Sequence, residues 1–281
     1  MKAVFVFCEG AHDVKFAARS LGGVATATWV GDPIKELPSP LGPIPDPDNP
    51  KRPKLKSLIA ERYAERSLDE MSLQAASHAP PPAFEAIVRD GTTLFVLLRC
   101  AGDTAAASVM KLLSDMTAVL TPAFGTDVKQ IAAAFLFDAD ASVATREALF
   151  EASYQPILGP APGPKHGAWV LGKDFPVGLH VFHDAATQQG TLEEILAPLV
   201  ELEWSTRWHA ASAYLTSHAG VGDPVSKKPA ERLKAQINIT GQFVAPGDPM
   251  SEVIGRNGLS ASHFDGAHSK ALVAFLQGVP W

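Results

Sequence analysis

Three apolar runs constrain this chain more than any other feature: Ala3 to Cys8, Thr93 to Arg99 and Ile131 to Phe137. None shows the strict alternation of a strand with one wet face, so each is read as a strand buried on both faces, as in a parallel sheet sandwiched by helices. The intervening sequence changes to helical spacing. Val14, Phe16, Ala17, Ala18 and Leu21 follow the first run, and Val109, Met110, Leu112, Leu113, Met116 and Val119-Leu120 follow the second. A helix over about 143–152 follows the third. This alternation predicts an α/β fold, a mainly parallel Rossmann-like sheet with helices on both faces. Shorter strands are expected at Trp169 to Leu171 and Leu179 to Phe182. Helices are expected from Leu192, Arg207 and Lys227 onward, and a last one near His268 to Leu276.

The region from about 24 to 91 interrupts this pattern and reads as an insertion. Its proline-rich stretch, Pro38 to Pro50, tolerates no regular element, and a charged helical segment, Leu55 to Ala76, precedes Pro80-Pro81-Pro82. The expected organisation is a core over 1–205 broken by that insertion, and a helical extension over 206–281 packed on the core. With 46% hydrophobic and 19% charged residues among 281, the chain can bury a full core. No run is long enough for a membrane span, and Ala3 to Cys8 is too short for a secretion signal, so a cytoplasmic location is expected. Cys8 and Cys100 each end an apolar run and are read as small hydrophobes rather than a disulfide or zinc ligands.

Chemistry is expected where the strands end. In an open parallel sheet, loops at the carboxyl ends of the strands converge on a crevice. Glu9-Gly10 lies at that end of the first strand and Asp138-Ala139-Asp140 at that end of the third. Alternate residues of an extended segment point the same way, so Asp138 and Asp140 are expected to aim at one ion, with Glu9, and Asp13 one helical turn on, adding oxygens. Such hard ligands suit Mg²⁺ or Mn²⁺. Gly10 would let the backbone approach a phosphate. The same residues also suit a helix cap and a turn, the ordinary uses of Glu-Gly-x-x-Asp and Asp-x-Asp.

Taken in order, strand-Glu9-Gly10-Ala11-His12-Asp13, strand-Cys100-Ala101-Gly102-Asp103-helix and strand-Asp138-Ala139-Asp140 resemble a Toprim domain. They are most similar to the module of the overcoming-lysogenisation-defect (OLD) nucleases and its stand-alone relatives. The resemblance covers about 1–24 and 93–202. It implies a Mg²⁺-dependent nuclease in which Glu9 is general acid, base or metal ligand and Asp138 and Asp140 bind the metal. Gly190-Thr191-Leu192-Glu193 matches a later helix start in these relatives, which makes Glu193 the candidate carboxylate for a second ion; an acidic first helical turn is the alternative reading. Lys228 or Lys234 would be the lysine that serves the transition state, with Gly10, Gly102, Lys227 and Arg232 toward substrate. The 24–91 insertion has no counterpart in the minimal domain, and the ATPase half that accompanies many such nucleases is missing.

A net charge of −6 excludes a protein that coats nucleic acid indiscriminately, since such binding is phosphate neutralisation. It leaves room for a nuclease that grips the backbone locally, through Lys51, Arg52, Lys54 and Lys56 or through Lys227, Lys228, Arg232 and Lys234; solvated helix faces are the alternative use of both segments. Two ions need about five acidic ligands, so one or two are expected according to the use of Glu193. The expected partners are DNA or RNA, a second copy in a homodimer, and a separate ATPase or other subunit. The alternative to an enzyme is a catalytically weak metal-binding module within a defence or repair assembly. His180, His183 and Asp184 are read as ordinary, because residues three apart in a strand face opposite ways. No dinucleotide fingerprint, P-loop or nucleophile elbow is present.

Overall fold

The computed structural model describes residues 2–25, 27–30, 83–100, 105–119, 128–255 and 258–281. Gly102, Asp103, the Lys51 to Lys56 basic segment, the proline-rich stretch and the Leu55 to Ala76 helix lie outside them. The elements, in chain order, are β1 (Lys2–Cys8), α1 (Ala11–Val24), β2 (Thr28–Val30), β3 (Ala83–Asp90), β4 (Thr93–Arg99), α2 (Ala106–Val119), β5 (Gln130–Asp138), α3 (Val143–Leu158), β6 (Ala168–Leu171) and β7 (Pro176–Phe182). Then come α4 (Leu192–Glu203), α5 (Ser205–His218), α6 (Pro224–Lys227), α7 (Pro229–Gln242), α8 (Met250–Gly255), a 3-10 turn (Ala261–Asp265) and α9 (Ala267–Gln277).

The seven strands form one sheet in the order β2-β3-β4-β1-β5-β7-β6. β4, β1, β5 and β7 run parallel, while β3, β2 and β6 join the two sides antiparallel. The fold is thus a mainly parallel Rossmann-like α/β sheet. The region expected to be an insertion contributes at both ends: 28–30 and 83–90 are strands of the sheet, and β3 pairs along the length of β4. A parallel strand needs a crossover connection, whereas the two-residue turn at Gly91, with φ 55, brings β3 straight back into β4.

Burial explains the absence of alternation in the long runs. Val4, Val6 and Cys8 enter one core layer with α1, α4, α8 and α9; Ala3, Phe5 and Phe7 enter the other with α2 and α3. In that second layer Phe135 stacks among Phe7, Phe150 and Tyr154, at centroid distances of 5.1, 4.8 and 4.5 Å. Each such ring removes a large apolar area from water, worth about 2–3 kcal/mol. The 206–281 segment is helical, and Leu272, Phe275 and Leu276 of α9 belong to the first layer. Cys8 and Cys100 are free and buried, and the Cys100 thiol donates to the Cys8 carbonyl at 3.2 Å. No helix among the described residues is long and apolar enough to cross a membrane.

Candidate functional site

The sheet order reverses at β1, whose neighbours β4 and β5 take the chain to opposite sides. The carboxyl ends of β1 and β5 flank that point. Lys2 and Cys8 pair with Gln130 and Leu136, so Glu9 and Asp138 emerge side by side. The Glu9 carboxylate accepts a hydrogen bond from the Asp138 N–H at 3.3 Å. One turn on, buried Asp13 accepts from the Gly10 N–H at 2.5 Å, closing the strand-to-helix turn. Gly10 itself is extended, at φ −132 and ψ 175. A Cβ there would lie 3.4 Å from Asp13 Oδ2, an ordinary contact, so local sterics do not require glycine at that position.

Asp138 reaches the start of another element. Its Oδ1 accepts the Leu192 N–H, the first amide of α4, at 2.8 Å. Thr191, at the N-cap, makes no capping bond, and its hydroxyl is buried without a partner. Asp138 therefore does the capping that Thr191 leaves undone, satisfying an amide with no intrahelical acceptor. Gly190 is required in this turn. It has φ 107, and a Cβ would overlap the Glu194 carboxylate.

Glu193, in the first turn of α4, is buried beside the same aspartates. Its Oε1 lies 3.2 Å from His12 Nδ1 and 3.8 Å from Lys234 Nζ. Four segments thus bring Glu9, Asp13, Asp138 and Glu193 into electrostatic contact. Burial raises the Asp138 carboxyl to about 8, helped by repulsion from Glu193, Glu9 and Asp140 and opposed by the Leu192 amide. Asp13 is also held well above the usual carboxylate range, by burial and then by Asp138. Glu193 goes the other way. Burial would raise it, but the His12 hydrogen bond and the charge of Lys234 bring it down to about 2.

Asp140 departs from the expected geometry. Its φ of 51 breaks the extended alternation, and antiparallel bonds exchanged with Gly190, at 2.9 and 3.1 Å, turn the backbone away. Its side chain is 60% exposed and pairs with Arg146 at 2.5 Å. The Asp-x-Asp pair therefore splits, Asp138 toward the cluster and Asp140 toward Arg146. Buried Arg146, missed in the sequence, donates from Nε to the Asp138 carbonyl at 2.7 Å, and its Nη2 lies 3.9 Å from Glu9. Its signal is positional: it follows Ser142, the N-cap of α3, by one turn.

The basic candidates separate likewise. Lys234 reaches Glu193, whereas Lys227 and Lys228 are exposed around the start of α7. Arg232 bonds the Ser212 carbonyl at 3.3 Å and the Thr216 hydroxyl at 2.7 Å, tying α7 to α5. His12, which lies inside the first motif, holds Glu193. Among the described residues no group of three or more His, Cys, Asp or Glu side chains is arranged to hold an ion; Glu193 pairs with His12 and Asp140 with Arg146. Carboxylate and hydroxyl oxygens are the donor types that a hard cation would take.

No protein-family model matches the chain, and no curated protein matches it. Among solved structures, a hypothetical protein from Pyrococcus horikoshii OT3 aligns over 99% of this chain and 95% of its own, with a TM-score of 0.47 and 11% sequence identity.

Proposed function

We propose that this chain is a Toprim-type enzyme, akin to the OLD nucleases, that cleaves phosphodiester bonds in nucleic acid with Mg²⁺ or Mn²⁺. The observation that carries this reading is the gathering of Glu9, Asp13, Asp138 and Glu193 at the carboxyl ends of β1 and β5, with Lys234 3.8 Å from Glu193. Glu9, Asp13 and Asp138 would hold an ion; Glu193 would join on leaving His12, and Asp140 only on leaving Arg146. A bound ion would polarise the scissile phosphate and lower the pKa of an attacking water. The chain's own part is then to hold charge in place. Glu9, partly exposed beside Asp138, takes up a proton at its carboxylate, and Lys234, Lys227 and Lys228 neutralise the phosphodiester backbone.

The pairing of Glu193 with His12 and Lys234, and of Asp140 with Arg146, favours a second reading: a catalytically weak metal-binding module that serves a nucleic-acid assembly through a separate ATPase or a second copy of itself. Incubation with plasmid, single-stranded DNA and RNA in Mg²⁺, Mn²⁺ or EDTA separates the two. The nuclease reading expects cleavage that is lost in EDTA and in a Glu9→Gln, Asp138→Asn double variant. Mn²⁺ binding that the variant lacks, without cleavage of any substrate, would turn the assignment to the module. Neither cleavage nor Mn²⁺ binding would overturn both.

A further inference from the structure

A second concentration of titratable groups lies at the outer edge of β7. β6 covers that edge only from Pro176 to Leu179, so among the described residues no strand lies beside Val181 on that side. The Phe182 carbonyl faces β5, where it accepts from the Ala139 N–H at 2.9 Å, and the polar groups of the preceding residue therefore face outward. Two imidazoles meet them. The Val181 N–H donates to His166 Nδ1 at 2.9 Å, and the Val181 carbonyl lies 2.9 Å from His183 Nδ1. Histidine side chains here take the place of a missing strand. The sequence-based expectation that His180 and His183 sit apart omits His166, whose ring lies 4.9 Å from the first and 4.7 Å from the second.

These bonds fix the protons. A ring nitrogen that accepts an N–H carries no hydrogen, so His166 is the neutral Nε2–H tautomer; His183, facing a carbonyl, carries its hydrogen on Nδ1. His166 is thereby unsuited to ligate a metal, since its one lone pair is already used. Adding a proton to His166 would set N–H against N–H. The surroundings oppose that proton as well. Burial, then His183, hold His166 below its usual pKa against the pull of Glu147, which accepts the His166 backbone N–H at 2.8 Å and pairs with Lys165 at 3.1 Å. Behind it His180 is 7% exposed, with an unpartnered Nδ1. Burial, then His166, His183 and His268 of α9, push it down to about 3. The other rings against His180, Phe182 and Phe275, are uncharged, and Asp184 is the acid next to His183.

We propose that this edge is an acid-sensitive latch, in which protonation of His166 breaks its bond to Val181 and opens the edge of β7 beyond Leu179, while the Gly167 N–H stays on the Leu179 carbonyl at 2.8 Å. The 183–191 loop starts at the same point. That loop exchanges backbone bonds with Asp140 through Gly190 and leads to the Leu192 amide on Asp138. The inference does not rest on the phosphodiester reading. The sign follows from linkage. A histidine neutral in the closed form and free to ionise in the open form keeps the latch shut above about pH 6.5, and each such histidine favours opening about tenfold per pH unit below it.

Amide hydrogen exchange on the full chain reads this directly. Between pH 6.5 and 5, protection of the Val181 N–H is expected to fall about fifteenfold relative to Ala133 in β5. His166→Asn, which offers a carbonyl oxygen that does not titrate in place of Nδ1, is expected to shrink that fall at least tenfold. Unchanged Val181 protection in the wild type, or the same fall in the variant, would overturn the latch. If the variant loses Ala133 protection at pH 7.5 and so does not fold, the ring ¹⁵N shifts of wild-type His166 decide. Protonation of Nδ1 must coincide with the loss of Val181 protection, and a proton on Nδ1 while Val181 stays protected sinks the proposal.

Discussion

Asp138 and Glu193 face each other across the same cluster, one at the end of β5 and the other at the start of α4, yet their carboxyls titrate at about 8 and about 2. Burial penalises the ionised form of both. What differs is the company: Asp138 has Glu193, Glu9, Asp140 and Asp13 around it and one amide, while Glu193 has His12 and Lys234. In a half-dry pocket the sign of a shift is set by the partner, and burial amplifies the outcome. One side of the cluster is poised to accept a cation or a proton, and the other already has its counter-groups.

The largest expected effect tests the Asp138 side. A carboxyl raised in the fold costs stability as pH climbs from about 4 through about 8, because the folded form must give up a proton that the unfolded chain has already lost. In EDTA, unfolding free energy should drop by about 4 kcal/mol from pH 5 to pH 9. Asp138→Asn, which keeps an acceptor for the Leu192 amide, should remove at least half of that slope; urea titrations with an unchanged slope would break the contrast. Glu193→Gln comes next, with a loss of about 2 kcal/mol at pH 7 from leaving buried partners unpaired. Here the sign reverses. Glu193 stabilises the fold above about 4.5, and that contribution fades as pH falls toward 2, so the variant should respond less to acid than the wild type in urea melts at pH 4.5 and 3. The smallest effect sharpens the choice of lysine. Lys234→Ala should cost up to about 1 kcal/mol and raise the Glu193 pKa measured by carboxyl NMR, while Lys228→Ala should stay within about 0.5 kcal/mol and leave Glu193 unmoved.

The parallel core was legible because a strand buried on both faces must be written as an unbroken apolar run, and β1, β4 and β5 are. Glu9 and Asp138 were legible as the first polar residues after such runs. Asp140 was misplaced because its direction depends on a bridge to Gly190, fifty positions away, and on a left-handed φ that no local pattern announces for aspartate. The pairing of His12 with Glu193 spans 181 residues and exists only because α1 and α4 pack on one face of the sheet. His180 and His183 were read as ordinary for a related reason: His166 becomes their neighbour only because β6 stops short of Val181. Strands 28–30 and 83–90 were hidden by the proline-rich sequence between them.

The place of β1 in the sheet also sets a timetable for the growing chain. Among the described strands the central one leaves the ribosome first, and its partners are Thr93 to Arg99 on one side and Gln130 to Leu136 on the other. Residues 2–8 must therefore wait, apolar on both faces, for more than a hundred residues of synthesis before the second neighbour arrives, which at about 5–20 residues per second is several seconds or more of exposure. A chain built this way has reason to lean on chaperones early, and slower translation before residue 130 would lengthen the interval in which β1 is open to aggregation.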